Sequence, residues 1–202
     1  MARRSNTDER RTQIVAALQA VMARAGYAGA TIAAIAQHAE LTPGLVHYHF
    51  SDKREILVAL VDSLADYAHQ RYESRAAAAK TAEQRLEAYI TVHLAYGADA
   101  QPDAVAAWVM IGEQAAHDPD VREVYQAALA AQMKLLKTLV RQRLAERGRR
   151  ARGLDSFVAG ITCFIQGAFT LSTTARPLLP AAFAAPTLIA WVERYIEAED
   201  ER

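Results

Sequence analysis

Residues Thr31 to Lys53, TIAAIAQHAELTPGLVHYHFSDK, constrain this chain more than any other stretch. Ile32, Ile35 and Ala36 fall at i, i+3 and i+4, one face of a helix, and Thr31 stands before them as an N-cap. Leu41 is an apolar anchor between polar neighbours, inside a turn. Thr42-Pro43 starts a second helix, with a hydroxyl cap followed by the residue whose fixed φ suits the first helical position. Leu45, Val46 and Phe50 give this helix a buried side, leaving Thr42, Pro43, Gly44, His47 and Tyr48 outside. Two short helices joined by a tight turn make a helix-turn-helix, whose second helix can enter the major groove of DNA.

A first helix is expected from Thr7 to Ala25, with Ile14, Val15, Leu18, Val21 and Met22 inward and Gly26 as its stop. The three helices make a small head, residues 1–51. Ser51 or Asp52 caps a fourth helix running to about Ala79, on which Ile56, Leu57, Leu60, Val61, Leu64 and Tyr67 keep helical spacing. It is read as the one continuous link between head and body. Further helices are expected at Thr81–Ala98, Pro102–His117, Pro119–Arg147, Leu154–Thr174 and Thr187–Glu199, with a short turn at Ala181–Ala185. No alternating strand pattern or hairpin signal is present. The fold class is therefore all-α, with about nine helices: a helix-turn-helix head and a helical body, residues 52–202.

The runs T-x-x-x-I-A-x-x-A and L-T-P-G-L-V-H-Y-H-F-S-D-K-R-E-I-L resemble the DNA-binding segment of the tetracycline-repressor (TetR) family of transcriptional regulators. Two positions depart from that pattern. Glu40 stands where the family often has glycine in the turn, so a positive φ there would cost it energy. His47 stands where many relatives carry tyrosine. The resemblance implies that Thr31, Thr42, Tyr48 and Lys53 meet phosphates and that Pro43, Gly44, Leu45 and His47 lie nearest base edges. Thr31 and Thr42 are also helix caps, and the two roles are compatible. Pro43 and Leu45 can offer bases only apolar contact, so shape and half-site spacing would carry much of the specificity. The segment Glu113 to Arg122, with Trp108 before it, is similar to the C-terminal half of BetI-like members.

The formal charge is zero, which argues against a uniformly basic nucleic-acid binder. Residues 1–55 nevertheless hold seven basic against five acidic side chains, and the remainder sixteen against eighteen. Arg3 and Arg4 belong to a basic arm that either touches DNA or only solubilises. The single cysteine, Cys163, forms no internal disulfide and no zinc spacing. The polar opening MARRSNTDERR gives no signal peptide, and no apolar run is expected to span a membrane, so the cytoplasm is the expected compartment.

In the body, polar groups among aromatics can line a pocket for a small-molecule effector. The candidates are Tyr67, Arg71, His93, Tyr96, Trp108, Met110, Tyr125, Met133, Gln166 and Phe169. Aromatic and methionine residues at helical spacing are usually core, and Gln166 could equally meet a second subunit. His49 is expected to point inward, holding the head against the fourth helix. Glu113 and His117 are read as a surface ion pair rather than metal ligands. No catalytic constellation, metal site or cofactor motif is found. Residues 154–174 and 187–199 are apolar around much of their girth, which predicts a homodimer built on these two helices, with Ile161 and Val192 as candidate contacts. The expected function is a ligand-responsive repressor, a homodimer on a palindromic double-stranded operator. The alternative is a helical sensing module without DNA binding.

Overall fold

The computed structural model describes residues 6–150 and 152–198. Among them are nine α-helices and two short 3-10 turns, and no strand. The helices are α1 Asn6–Gly29, α2 Ile32–His38, α3 Pro43–His49, α4 Lys53–Ala76, α5 Ala82–His93, α6 Pro102–His117, α7 Pro119–Glu146, α8 Leu154–Thr174 and α9 Ala184–Ala198. Arg3 and Arg4 lie outside the described residues.

Local chemistry sets most of these limits. Gly26 breaks the helical path of α1 with φ 68°, a conformation that glycine reaches without penalty. Thr31, Thr42 and Thr81 cap α2, α3 and α5 through side chains that accept from the amides of Ala34, Leu45 and Gln84. Asp52 caps α4 by accepting from Glu55 N at 2.8 Å, and the Glu55 carboxylate reaches back to the Ser51 amide. Several boundaries differ from expectation, the first being α1, which runs on to Gly29 past its kink at Gly26 rather than ending at Ala25. α4 ends at Ala76 rather than near Ala79. α5 ends at His93, after which Gly97 adopts φ 70° in a 3-10 turn, Gly97–Asp99. The turn expected at Ala181–Ala185 is confined to Ala181 and Ala182, the latter with φ 54°, and a 3-10 turn at Arg176–Leu178 precedes it. α9 starts at Ala184 because Pro186 is tolerated in a first turn, whose amides need no partner within the helix.

The chain folds as two compact units. Of the described residues, the first comprises those up to Asp66 with Pro102–Ala128; the second comprises Tyr67–Gln101 with those from Leu129 onward. The expected division at 51/52 follows the motif, whereas compactness follows burial. α6 packs on α1, so Ala107 and Ile111 are buried in the first unit with Ile14, Leu18, Ile35, Val46, Phe50, Ile56, Leu57, Leu60 and Val61. Both α4 and α7 start in the first unit and end in the second, so α4 is not the one continuous link.

The core of the second unit is formed by Leu86, Tyr89, Ile90, Leu136, Val140, Leu144, Val158, Ile161, Ile165, Leu188, Val192 and Ile196. Ile161 and Val192 are therefore internal to the protomer, which corrects their assignment to a dimer face. Arg143, 3% exposed, lies at the edge of this core and meets Glu83, Glu146 and Glu193 at 3.0, 3.3 and 2.9 Å. Three helices are thereby joined at one guanidinium. α8 also corrects the reading that no run could span a membrane: by length and composition alone it could, and 22% of its most apolar stretch is buried.

Candidate functional site

The head is held together by residues that the motif does not contain. Arg11 of α1 places its guanidinium 3.9 Å from the Phe50 ring centroid, donates to the His49 carbonyl and pairs with Glu55 at 3.3 Å. Gln13 Nε2 donates to the Ala39 carbonyl at 2.6 Å, gripping the turn between α2 and α3. Glu40 in that turn has φ 55°, the left-handed geometry its position predicts, held without glycine. Arg11 thus belongs to the internal scaffold. Only helical spacing could have indicated this, and spacing does not reveal which charges turn inward.

On this scaffold Thr42, Pro43, Gly44, His47 and Tyr48 are exposed, Tyr48 at 78%. Leu45 is half-buried and Val46 is buried, so α3 presents one face and buries the other. The exposed face bears a phenol, an imidazole, a capping hydroxyl and a glycine where a Cβ would meet nothing within 4 Å. His49 is half-buried, with its ring edge-on to Tyr48 at 5.0 Å. Thr31 is exposed at the start of α2. Lys53 is more constrained than a free phosphate-binding lysine. Its ammonium donates to the Tyr27 carbonyl at 2.8 Å and sits 4.1 Å from the Tyr27 ring centroid. Burial pulls its pKa below the usual lysine value. An ammonium has three donors, so this anchor leaves two for phosphate.

The body candidates separate into groups. The Trp108 and Tyr125 rings meet in the first unit at 4.9 Å with their planes tilted by 39°, and a side-chain hydrogen bond joins them. Gly112 makes room there, since a Cβ would lie 3.2 Å from the Tyr125 hydroxyl. Met110 is half-buried on α6. Tyr67, Arg71 and His93 belong to the second unit. The Arg71 guanidinium lies 5.8 Å from the Tyr67 ring centroid and donates to the Asp99 carbonyl at 2.8 Å. His93 Nδ1 is 2.9 Å from the Tyr89 carbonyl, and its ring lies 4.3 Å from that of Tyr89. Tyr96 is exposed, with the Arg176 guanidinium 4.8 Å above its ring. Met133 and Phe169 pack against the core of the second unit, and Gln166 is half-buried on α8.

The segment around Glu113–Arg122 is structural. Asp118 Oδ1 accepts from the Asp120 and Val121 amides, capping α7, and Arg122 donates to the Ala115 and Ala116 carbonyls at the end of α6. Glu113 and His117 are both exposed, and among the described residues no ion pair joins them, contrary to expectation. Their side chains extend into water, where such a pair gains little.

Comparison with known proteins gives this geometry its context. Residues 14–60 match the family described as bacterial regulatory proteins, tetR family, and residues 82–200 match the BetI-type transcriptional repressor, C-terminal. The HTH-type transcriptional regulator BetI of Burkholderia mallei (strain NCTC 10229) is 30% identical over 162 residues, which span 75% of this chain and 79% of that protein. This chain belongs to the TetR family. The BetI regulator of Rhizobium meliloti (strain 1021) is 31% identical over 116 residues, 57% of this chain and 56% of that protein. Among solved structures, a transcriptional regulator from Rhodococcus sp. Rha1 superposes with a TM-score of 0.81 at 19% identity, covering 95% of this chain and 98% of that one. A regulator from Saccharomonospora viridis, solved in complex with choline, gives 0.77 at 20% identity, covering 94% and 96%.

As a TetR-family protein of BetI type, the chain is a DNA-binding transcriptional regulator and not an enzyme. This decides against a sensing module without DNA binding. The exposed face of α3 lies within the segment that matches the TetR head, and Arg11, Gln13 and Glu55 hold that face in place.

Proposed function

We propose that this TetR-family protein is a cytoplasmic repressor that binds a palindromic operator as a homodimer and releases it when a small-molecule effector binds in the body. The observation that carries the DNA part is the exposed set Thr42, Pro43, Gly44, His47 and Tyr48 on a capped α3 whose other face is buried. Thr31, Thr42, Tyr48 and Lys53 would meet phosphates, and Pro43, Gly44, Leu45 and His47 base edges. A glycine and a proline let the backbone approach the groove closely, while hydroxyl, phenol and ammonium groups fix the register.

The dimer reading rests on α8 and α9. Trp191 is 48% exposed and Leu171 44%, and Phe164 meets Trp191 edge-on at 5.0 Å. Such apolar surface on helices that also fill a core favours a second copy as its cover. Two heads in one dimer then fit two half-sites only at a set spacing. An effector that shifts α4 changes that spacing, and about 1.4 kcal/mol of differential affinity changes occupancy tenfold. Tyr67 and Arg71, near the C-terminal end of α4, are where ligand contacts would be passed on.

The test is selection of bound sequences from random DNA, repeated with choline, the ligand of the Saccharomonospora structure. A palindromic consensus that is depleted when an effector is added supports the reading. A half-site consensus bound by monomers overturns the dimer.

A further inference from the structure

His93 is the last residue of α5, and its two ring nitrogens have unlike surroundings. Nδ1 lies 2.9 Å from the Tyr89 carbonyl oxygen, which can only accept, so Nδ1 carries the hydrogen. In the neutral ring, Nε2 is then a bare acceptor. That atom is buried, and among the described residues no donor reaches it. Burial and the nearby Arg71 charge both disfavour the imidazolium, although the Tyr89 carbonyl favours it, and the net displacement is downward. The ring therefore stays neutral near pH 7, and Nε2 keeps its lone pair.

Two nearby donor groups each have another partner. The Tyr89 hydroxyl donates to the Gln132 carbonyl at 3.4 Å, and Arg71 donates to the Asp99 carbonyl. The Tyr89 ring lies 4.3 Å from the His93 ring, and Tyr72 of α4 meets Tyr89 edge-on at 6.0 Å. A fixed, buried acceptor with no internal donor is the complement of a ligand hydroxyl or amine.

We propose that His93 Nε2 reads the effector by accepting a hydrogen bond from its hydroxyl or N–H group, so that the effector class is a small alcohol or amine. This rests on the reading of the body as the effector-binding part. It selects against ethers, esters and carboxylates of the same size, because a molecule without a donor leaves Nε2 unmatched while occupying the same space. Sites built to hydrogen-bond a ligand hydroxyl reject analogues lacking it strongly.

The experiment uses the intact protein with choline, ethanolamine and O-methylcholine as probes, titrated calorimetrically into the parent, His93→Phe and His93→Gln. Choline or ethanolamine is expected to bind at least about tenfold more tightly than O-methylcholine, with His93→Phe removing the difference and His93→Gln, which keeps an acceptor, retaining part of it. In the absence of probe, His93→Phe is expected to melt no lower than the parent, since it removes an unmatched polar atom. The proposal is overturned if the ether binds as tightly as the alcohol, or if neither alcohol nor amine binds below about 10 mM. It is also overturned if His93→Phe melts several degrees lower or fails to fold, which would assign Nε2 to internal structure such as a trapped water. A probe that binds through His93 without releasing DNA would instead overturn the effector reading and leave this contact standing.

Discussion

The Arg54 guanidinium meets the Asp120 carboxylate at 2.7 Å, tying the first turn of α4 to the first turn of α7. Both side chains are about half-exposed, so the pair contributes little to stability, roughly 0–1 kcal/mol. Its position gives it another use. α4 follows the reading helix directly, and α7 is the second helix that starts in the head unit and continues into the other. Asp120→Asn is expected to leave urea unfolding almost unchanged while shifting the effector concentration that half-releases DNA. Spin labels on the two heads would report the accompanying change in distance distribution. An unchanged release curve would remove the pair from the relay.

His47→Ala and Tyr48→Phe should weaken operator binding without unfolding the head, because both side chains are exposed on α3. The loss of one good contact costs about 1–3 kcal/mol. Fluorescence anisotropy at matched salt checks this. Equal affinity for His47→Ala would place the imidazole away from the bases.

Glu40→Gly should stabilise the head by about 0.5–1 kcal/mol, because glycine occupies φ 55° without the strain borne by a residue with a Cβ. It also removes a negative charge from the turn of the DNA-reading motif, so binding should tighten, most clearly at low salt. Thermal melting and a salt titration of affinity separate the two effects. A lower melting temperature would show that the Glu40 side chain does more than tolerate its geometry.

Arg143→Met should cost about 2–3 kcal/mol, below the usual range for a broken buried pair because its carboxylate partners keep part of their water. The pH dependence follows from Glu146, whose carboxyl is held below its ordinary 4.5 chiefly by the Ala82 amide, then by the Glu83 amide and Arg143. A depressed folded-state pKa adds stability above the unfolded value, and that stability is lost as pH falls through the folded value. Urea unfolding between about pH 7 and pH 3 should therefore show a shallower acid loss for Glu146→Gln than for the parent. An identical slope would remove Glu146 from the acid response.

Trp191→Glu should convert the proposed dimer to a folded monomer, because this ring is exposed in the protomer whereas Val192 beside it is core. Sedimentation velocity and circular dichroism check the two halves of that statement. A dimer that survives the change would move the interface off this face.

The helices were legible wherever a cap or a breaker stands in the sequence. Thr31, Thr42 and Thr81 start helices, Gly26 kinks one, and the Asp118-Pro119 step separates α6 from α7 at the expected place. The exposed face of α3 was legible because Val46 and Phe50 mark its opposite side. Two things were not. Periodicity identifies the apolar side of α8 but not which neighbour covers it, so Ile161, facing its own core, looked like a dimer contact. Composition counts Arg11 and Lys53 as charge available to phosphate, whereas Arg11 is folded onto Phe50 and Glu55, and Lys53 is anchored on Tyr27. Which way a long cationic side chain turns depends on partners distant in sequence.

The packing of α6 on α1 also sets where this protein can be cut and rejoined. A hybrid regulator made by transplanting residues 1–51 onto a foreign body would lose Ala107 and Ile111, which are buried in the same unit as α1, as well as the part of α4 that belongs there. The portable module is discontinuous, with crossovers at 66/67, 101/102 and 128/129, two of them inside helices. Domain shuffling in this protein therefore has to exchange two segments together, with helical phase preserved across α4 and α7.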